Sequence, residues 1–178
     1  MDATRLPMVC VIGSGSDAHE PLASEVGNLI ARLGVHLLTG GGRGVMAAVS
    51  KAFLACPERK GMSIGVLPSN PGDVTQPKAG YPNDWIEIPI RTHLPLSGDQ
   101  GTDPMSRNHV SILSANAVVA LPGEAGTASE CGLAIRYDRP ILAYLGPMGS
   151  IPDLSPEIEK AQSIEDVERF LRTSLLID

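Results

Sequence analysis

Two stretches of this chain, Met8 to Ile12 (Met-Val-Cys-Val-Ile) and Ala117 to Leu121 (Ala-Val-Val-Ala-Leu), carry no polar side chain, and each runs into a glycine-bearing turn. A strand sends alternate side chains to opposite faces, so one that is apolar throughout needs cover on both sides. A parallel sheet with helices packed on its two faces supplies that cover. Helical periodicity follows the first run: Leu22, Val26, Leu29, Ile30 and Leu33 recur on one face until Gly34 closes the segment. His36 to Thr39, Met62 to Leu67, Trp85 to Ile90 and Pro140 to Leu145 read as further strands. Helices are expected from about Val45 to before Pro57, from near Pro104, from Thr127, and over Ile164, Val167, Leu171 and Leu175, where Ser163 and Asp166 form a capping box. Ser69 to Asn83 and Gly146 to Pro156 read as loops. The alternation predicts an α/β fold: a Rossmann-like, doubly wound parallel sheet in three layers, with residues 1–178 as a single domain.

Composition narrows the partners. At 178 residues and 43% apolar the chain can bury one core. No apolar run approaches the roughly 18 residues of a membrane span, and the start, Met1-Asp2-Ala3-Thr4-Arg5, lacks a signal-peptide pattern. A cytoplasmic protein is expected. Cys10, Cys56 and Cys131 show no C-x-x-C pairing, which favours reduced thiols over disulfides or zinc ligands. The net charge is -6, Lys and Arg do not cluster, and aromatics are 3% of the chain, so neither nucleic acid nor a membrane surface is indicated. A phosphorylated small molecule is the expected partner.

Three Gly-rich turns lie where such a sheet binds ligands, at the carboxyl ends of its strands. The first, Gly13-Ser14-Gly15-Ser16-Asp17-Ala18, fits G-x-G-x-x-A. A dinucleotide site also needs an acidic residue at the end of the second strand, about 20 positions on, to hold the ribose hydroxyls. That place reads Thr39-Gly40, which argues against NAD or FAD and leaves room for a mononucleotide. The second turn, Gly40-Gly41-Gly42-Arg43-Gly44, suits tight turning or close ligand approach, with Arg43 free to pair with phosphate or to face water. It is no Walker A loop, since no Lys-Ser or Lys-Thr follows. In the third, Leu-Pro-Gly-Glu-Ala-Gly-Thr-Ala-Ser-Glu over 121–130, the N–H groups of Gly123, Ala125, Gly126 and Thr127 at a helix start offer an anion site, with Thr127 as the cap. Gly13 and Ser14 extend the same site.

Glu130 is odd in a pure phosphate cradle. Arg107, in the long polar loop from Arg91 to Arg107, is placed to swing over the same strand ends or else to sit in solvent. Glu124 should repel a dianion unless it points away or pairs with Arg43 or Arg107. His19, His36, His93 and His109 have no metal-binding spacing, and no G-x-S-x-G elbow is present.

Gly40-Gly41-Gly42-Arg43-Gly44-Val45-Met46, Arg107, and Pro122-Gly123-Glu124-Ala125-Gly126-Thr127-Ala128-Ser129-Glu130 together resemble the LOG family, long mislabelled as possible lysine decarboxylases. The resemblance spans most of the chain and implies a nucleotide-binding domain. Family members carry G-G-G-x-x-G-x-M, M-H-x-R-K and P-G-G-x-G-T-x-x-E, and cleave the N-glycosidic bond of nucleoside 5'-monophosphates. The resemblance places their catalytic arginine and glutamate at Arg107 and Glu130, requires no cofactor, and implies a homodimer or a tetramer of such dimers. This chain departs from the pattern at Glu124, in a second turn one residue shorter, and in Pro104-Met105-Ser106-Arg107-Asn108. Arg107-Asn108 at this place, and Thr39-Gly40-Gly41 ahead of Gly44-Val45-Met46, look more like the short branch that includes the molybdenum cofactor carrier protein.

A pyridoxal phosphate decarboxylase needs a Schiff-base lysine, and Lys51, Lys60, Lys78 and Lys160 all lie away from the Gly-rich turns in sequence. That label is therefore set aside. Hydrolysis would use Glu130 to stabilise positive charge building on the sugar and to orient water, with Arg107 on the phosphate or the departing base. The alternative is a carrier of molybdenum cofactor or a nucleotide without turnover, in which Glu130 fixes a hydroxyl. Glu130 could also be only a helix-dipole carboxylate, worth about 0.3 to 1 kcal/mol.

Overall fold

The structure is a computed structural model that describes residues 5–177. Met1 to Thr4, part of the stretch inspected for a signal peptide, and Asp178 lie outside the described residues. The chain folds as β1 (Met8–Ile12), α1 (Glu20–Leu33), β2 (His36–Thr39), α2 (Val45–Ala55), β3 (Ser63–Leu67), β4 (Ser69–Asn70), β5 (Asp73–Pro77) and β6 (Ile88–Arg91). A single 3-10 turn at Gly98–Gln100 precedes α3 (Asn108–Ser114), β7 (Ala117–Ala120), α4 (Ala125–Arg136), β8 (Ile141–Tyr144), β9 (Glu159–Ala161) and α5 (Ile164–Leu175).

Seven strands form one sheet in the order β6-β3-β2-β1-β7-β8-β9, parallel at every pairing. The apolar runs do what their composition demands. Val9 and Val11 pack into a core with Leu29 and Ile30 of α1, Val49 and Phe53 of α2, and Val167 and Leu171 of α5. Cys10 and Ile12, one position out of step, pack on the other face with Ile112 of α3 and Leu133 and Ala134 of α4. The three-layer doubly wound fold is thus as expected. Helix α1 ends on Gly34, whose φ of 73° is in the left-handed region, with its N–H donating to the Ala31 carbonyl at 3.1 Å. The capping box of α5 is present, with Ser163 accepting from the Asp166 N–H and Asp166 from the Ser163 N–H.

The sheet is one strand larger than expected. Strand β9 has the sequence Glu-Lys-Ala at the sheet edge, with its first two residues exposed, so it lacks the apolar signature of a central strand. Within the expected loop from Ser69 to Asn83, β4 and β5 form a small antiparallel hairpin outside the main sheet. Helix α3 begins at Asn108 rather than near Pro104. The preceding segment is instead tied back on itself: Leu96 N–H donates to the Met105 carbonyl at 3.3 Å and Arg107 N–H to the Leu96 carbonyl at 3.1 Å.

From β1 the chain winds outward one way through β2, β3 and β6, while β7 to β9 fill the other side. The strand order reverses between β1 and β7, and in open sheets of this kind that switch point opens a crevice at the carboxyl ends. The turns after β1 and β7, beginning at Gly13 and Leu121, meet there.

Candidate functional site

A cleft of about 440 Å³ opens at the switch point. Gly13, Gly15, Ser16 and Met46 line it from the first turn and α2, Glu124, Gly126, Thr127 and Glu130 from the third turn and α4, and Arg107 and Asn108 from the start of α3. The turns are knitted by backbone: Ser14 N–H donates to the Pro122 carbonyl at 2.9 Å, and Val45 N–H to the Ser14 carbonyl at 2.9 Å.

Helix α4 points its N-terminus, the positive end of the helix dipole, at the cleft. Its N-cap is Glu124, whose side chain makes no capping bond. Thr127 is the third residue of the helix rather than its cap, and its N–H donates to the Glu124 carbonyl at 2.9 Å. The Gly123 N–H is also taken, by the Ser150 carbonyl at 3.1 Å, because the loop after β8 packs here with Gly149 against the Pro122 ring. Among the described residues the N–H groups of Ala125 and Gly126 have no protein acceptor, which narrows the expected cradle to these two.

Arg107 is not a solvated surface arginine: it is 3% exposed. Its Nη1 lies 3.7 Å from Glu130 Oε1 and 3.4 Å from Ser111 Oγ. The guanidinium rests against Gly40, where any Cβ would collide with it, so that glycine provides the seat. Glu130, its side chain 13% exposed, faces Arg107 from the second turn of α4. Burial pushes its carboxyl up from 4.5 to about 7, and the nearby arginine only partly offsets this. A carboxyl poised near neutrality in a cleft can accept or deliver a proton, or hydrogen-bond a hydroxyl in either sense. Burial also pushes the Cys10 thiol up, with the Glu130 charge adding to the effect, and Cys131 rises to about 12 for the same two reasons. All three cysteines are free.

The Glu124 carboxylate is engaged in a way the sequence did not indicate. It pairs with neither arginine but accepts from Ser14 Oγ at 2.9 Å and Ser16 Oγ at 3.4 Å. Ser14 Oγ in turn accepts from the Asp17 N–H at 2.9 Å.

The second turn plays a structural part around the cleft. Gly40, Gly41 and Gly42 are buried, Asn83 Nδ2 donates to the Gly42 carbonyl at 2.7 Å, and Gly44 presses on the Ser14 carbonyl. None of these four glycines lines the main cleft. Arg43 is exposed beside Gly80 and lines an adjoining hollow that shares Gly15, Met46 and Tyr81 with the cleft.

Two lining residues, Lys78 and Tyr81, went unnoticed in the sequence and enter from the segment after the hairpin, while Ser97, Gly98 and Asp99 come from the polar loop already marked by its length. Lys78 corrects the argument from lysine placement, because distance in sequence hid its position at the cleft. Asn108 is 1% exposed, and neither Oδ1 nor Nδ2 has a hydrogen-bond partner. Leaving a buried amide unpaired costs about 1 to 3 kcal/mol.

The model of the SLOG cluster4 family matches residues 6–171. The chain belongs to the SLOG cluster4 family. Its resemblance to LOG proteins holds at the level of this SLOG superfamily. The SLOG cluster4 chain is 30% identical over 146 residues to an uncharacterized protein of Archaeoglobus fulgidus, spanning 81% of this chain and 83% of that protein. It is similar to the solved structure of the molybdenum cofactor binding protein from the phototrophic bacterium Rippkaea orientalis, at 28% identity and a TM-score of 0.73, covering 96% of this chain and 98% of that one. The Moco carrier protein from Chlamydomonas reinhardtii is similar at 26% identity and a TM-score of 0.71, covering 97% and 99%. Among the described residues no helix is long and apolar enough to cross a membrane.

Proposed function

We propose that this SLOG cluster4 protein binds a phosphorylated small molecule in the switch-point cleft and carries or senses it, a phosphorylated pterin such as molybdenum cofactor being the favoured class. One observation carries the proposal: the open N–H groups of Ala125 and Gly126 stand at the positive end of α4, on the border of a cleft of about 440 Å³. The orphaned amide of Asn108 adds a donor and an acceptor suited to the hydrogen-bonding edge of a heterocycle. The solved neighbours named for binding or carrying molybdenum cofactor match over nearly the whole of both chains. Leu113 on α3 and Ile135 on α4, both left exposed, suit a second copy of the chain, so a homodimer or homotetramer in the cytoplasm completes the proposal.

A second reading rests on Arg107 and Glu130. Glycosidic cleavage of a nucleoside 5'-monophosphate builds positive charge on the ribose, and ionised Glu130 would stabilise that charge and orient water. Arg107, already committed to Glu130 and Gly40, would hold the departing base or the phosphate, and no cofactor is needed.

Incubation with AMP and CMP, with ribose 5-phosphate followed by chromatography, separates the two. The carrier reading expects no release and retention of a phosphorylated ligand through gel filtration. Release of ribose 5-phosphate that disappears in Glu130→Gln would establish the hydrolase instead.

A further inference from the structure

From the contacts of Glu124 we infer that this residue determines specificity: it fills the anion position of the first turn and restricts the cleft to ligands bearing one phosphate, turning away diphosphates and dinucleotides. The inference rests on the proposal that the start of α4 takes a phosphate.

In doubly wound sheets the turn after the first strand at the switch point cradles a pyrophosphate, with donors converging on its oxygens. Here the donors are present. The Ser14 and Ser16 hydroxyls both reach a single oxygen, Glu124 Oε1, at 2.9 and 3.4 Å, and the Gly15 N–H beside them has no protein acceptor among the described residues. The oxygen they hold belongs to the chain itself.

Position sharpens the effect. Glu124 immediately precedes Ala125, so its carboxylate stands between the two turns that the phosphates of a diphosphate would have to bridge. The turns touch, since a Cβ on Gly123 would lie 2.8 Å from the Ser14 nitrogen. A second phosphate reaching from α4 toward the first turn therefore meets a like charge and donors already in use. Asp99 also lines the cleft and adds to the negative field. A separate feature agrees: β2 ends at Thr39, without the carboxylate that a dinucleotide ribose requires. A single phosphate on Ala125 and Gly126 need not occupy the space between the two turns or compete for the Ser14 and Ser16 hydroxyls.

The test is amide-resolved NMR on the full chain, titrating orthophosphate and pyrophosphate into wild type, Glu124→Gln and Glu124→Ala. The Glu124 side chain makes no capping bond to α4, so both variants should retain the helix, which the unperturbed amide spectrum will verify. In wild type, orthophosphate should move the Ala125 and Gly126 amides, pyrophosphate should do so only at higher concentration, and neither should move Gly15 or Ser16. In Glu124→Ala, pyrophosphate should also move Gly15 and Ser16, and its affinity relative to orthophosphate should rise about tenfold, with Glu124→Gln in the same direction. First-turn amides that respond to pyrophosphate equally in wild type and variants, or in none of the three, would overturn the inference. Silence of Ala125 and Gly126 toward orthophosphate in all three proteins would instead overturn the phosphate-binding proposal, so the responding turn tells the two failures apart.

Discussion

Arg107 Nη1 and Glu130 Oε1 stand 3.7 Å apart in a buried setting, yet the carboxyl is pushed up to about 7 rather than held down. Desolvation outweighs the attraction because the arginine is shared with Ser111 and seated on Gly40, so no short charge-assisted bond forms. The balance sets the charge of the cleft near neutral pH.

Folding raises Glu130 above its ordinary 4.5, so the native state binds its proton more tightly than the unfolded chain. Its contribution to stability is then fully present below that value and is lost as pH climbs through about 7. Urea unfolding of wild type and Glu130→Gln at pH 5 and pH 8 isolates the effect. Wild type should lose about 2 to 3 kcal/mol relative to the variant across that interval. A difference independent of pH would show that Glu130 titrates normally.

Removing the arginine should move the carboxyl further up, since Arg107 is the influence that lowers it. In Arg107→Met, which keeps much of the side chain's volume, carbon-13 titration of the Glu130 carboxyl should give a midpoint above that of wild type. An unchanged midpoint would mean that the two groups are not coupled in solution.

Gly40 and Gly15 make a contrasting pair. A Cβ at Gly40 collides with the Arg107 guanidinium, whereas one at Gly15 meets nothing within 4 Å. Gly40→Ala should cost about 1 to 3 kcal/mol and disturb the Glu130 titration. Gly15→Ala should stay within about 0.5 kcal/mol of wild type in the same denaturant series.

Asn108 offers a case in which stability and binding part company. Its amide has no partner to lose, so Asn108→Leu, close in shape, should leave the protein as stable as wild type or more so by about 1 kcal/mol. Calorimetric titration with AMP should nevertheless show binding weakened about tenfold, as expected when a buried polar contact to ligand is removed. Lost stability with intact binding would reverse the assignment.

The sheet was legible where burial is two-sided. Val9 and Val11 against Cys10 and Ile12 leave no position for a polar residue, and that pattern marks β1 unambiguously. Strand β9 was not legible, because an edge strand with Glu159 and Lys160 in solvent carries no such constraint. The three turns and Arg107 could be identified from residue type, and the polar loop's length flagged the segment that delivers Ser97, Gly98 and Asp99. Lys78, Tyr81 and the destination of the Glu124 carboxylate were not legible. Each depends on how aperiodic segments, distant in sequence, are laid over the crevice.

The Gly123 N–H donating to the Ser150 carbonyl, with Gly149 pressed on Pro122, makes the loop between β8 and β9 a strut under the turn that opens α4 rather than free connecting chain. Lengthening this loop, or joining a tag or partner domain through it, would therefore shift the backbone bordering the cleft although no residue of the loop lines it. An engineer seeking a tolerant insertion point in this protein would do better at the exposed hairpin between Asn70 and Asp73.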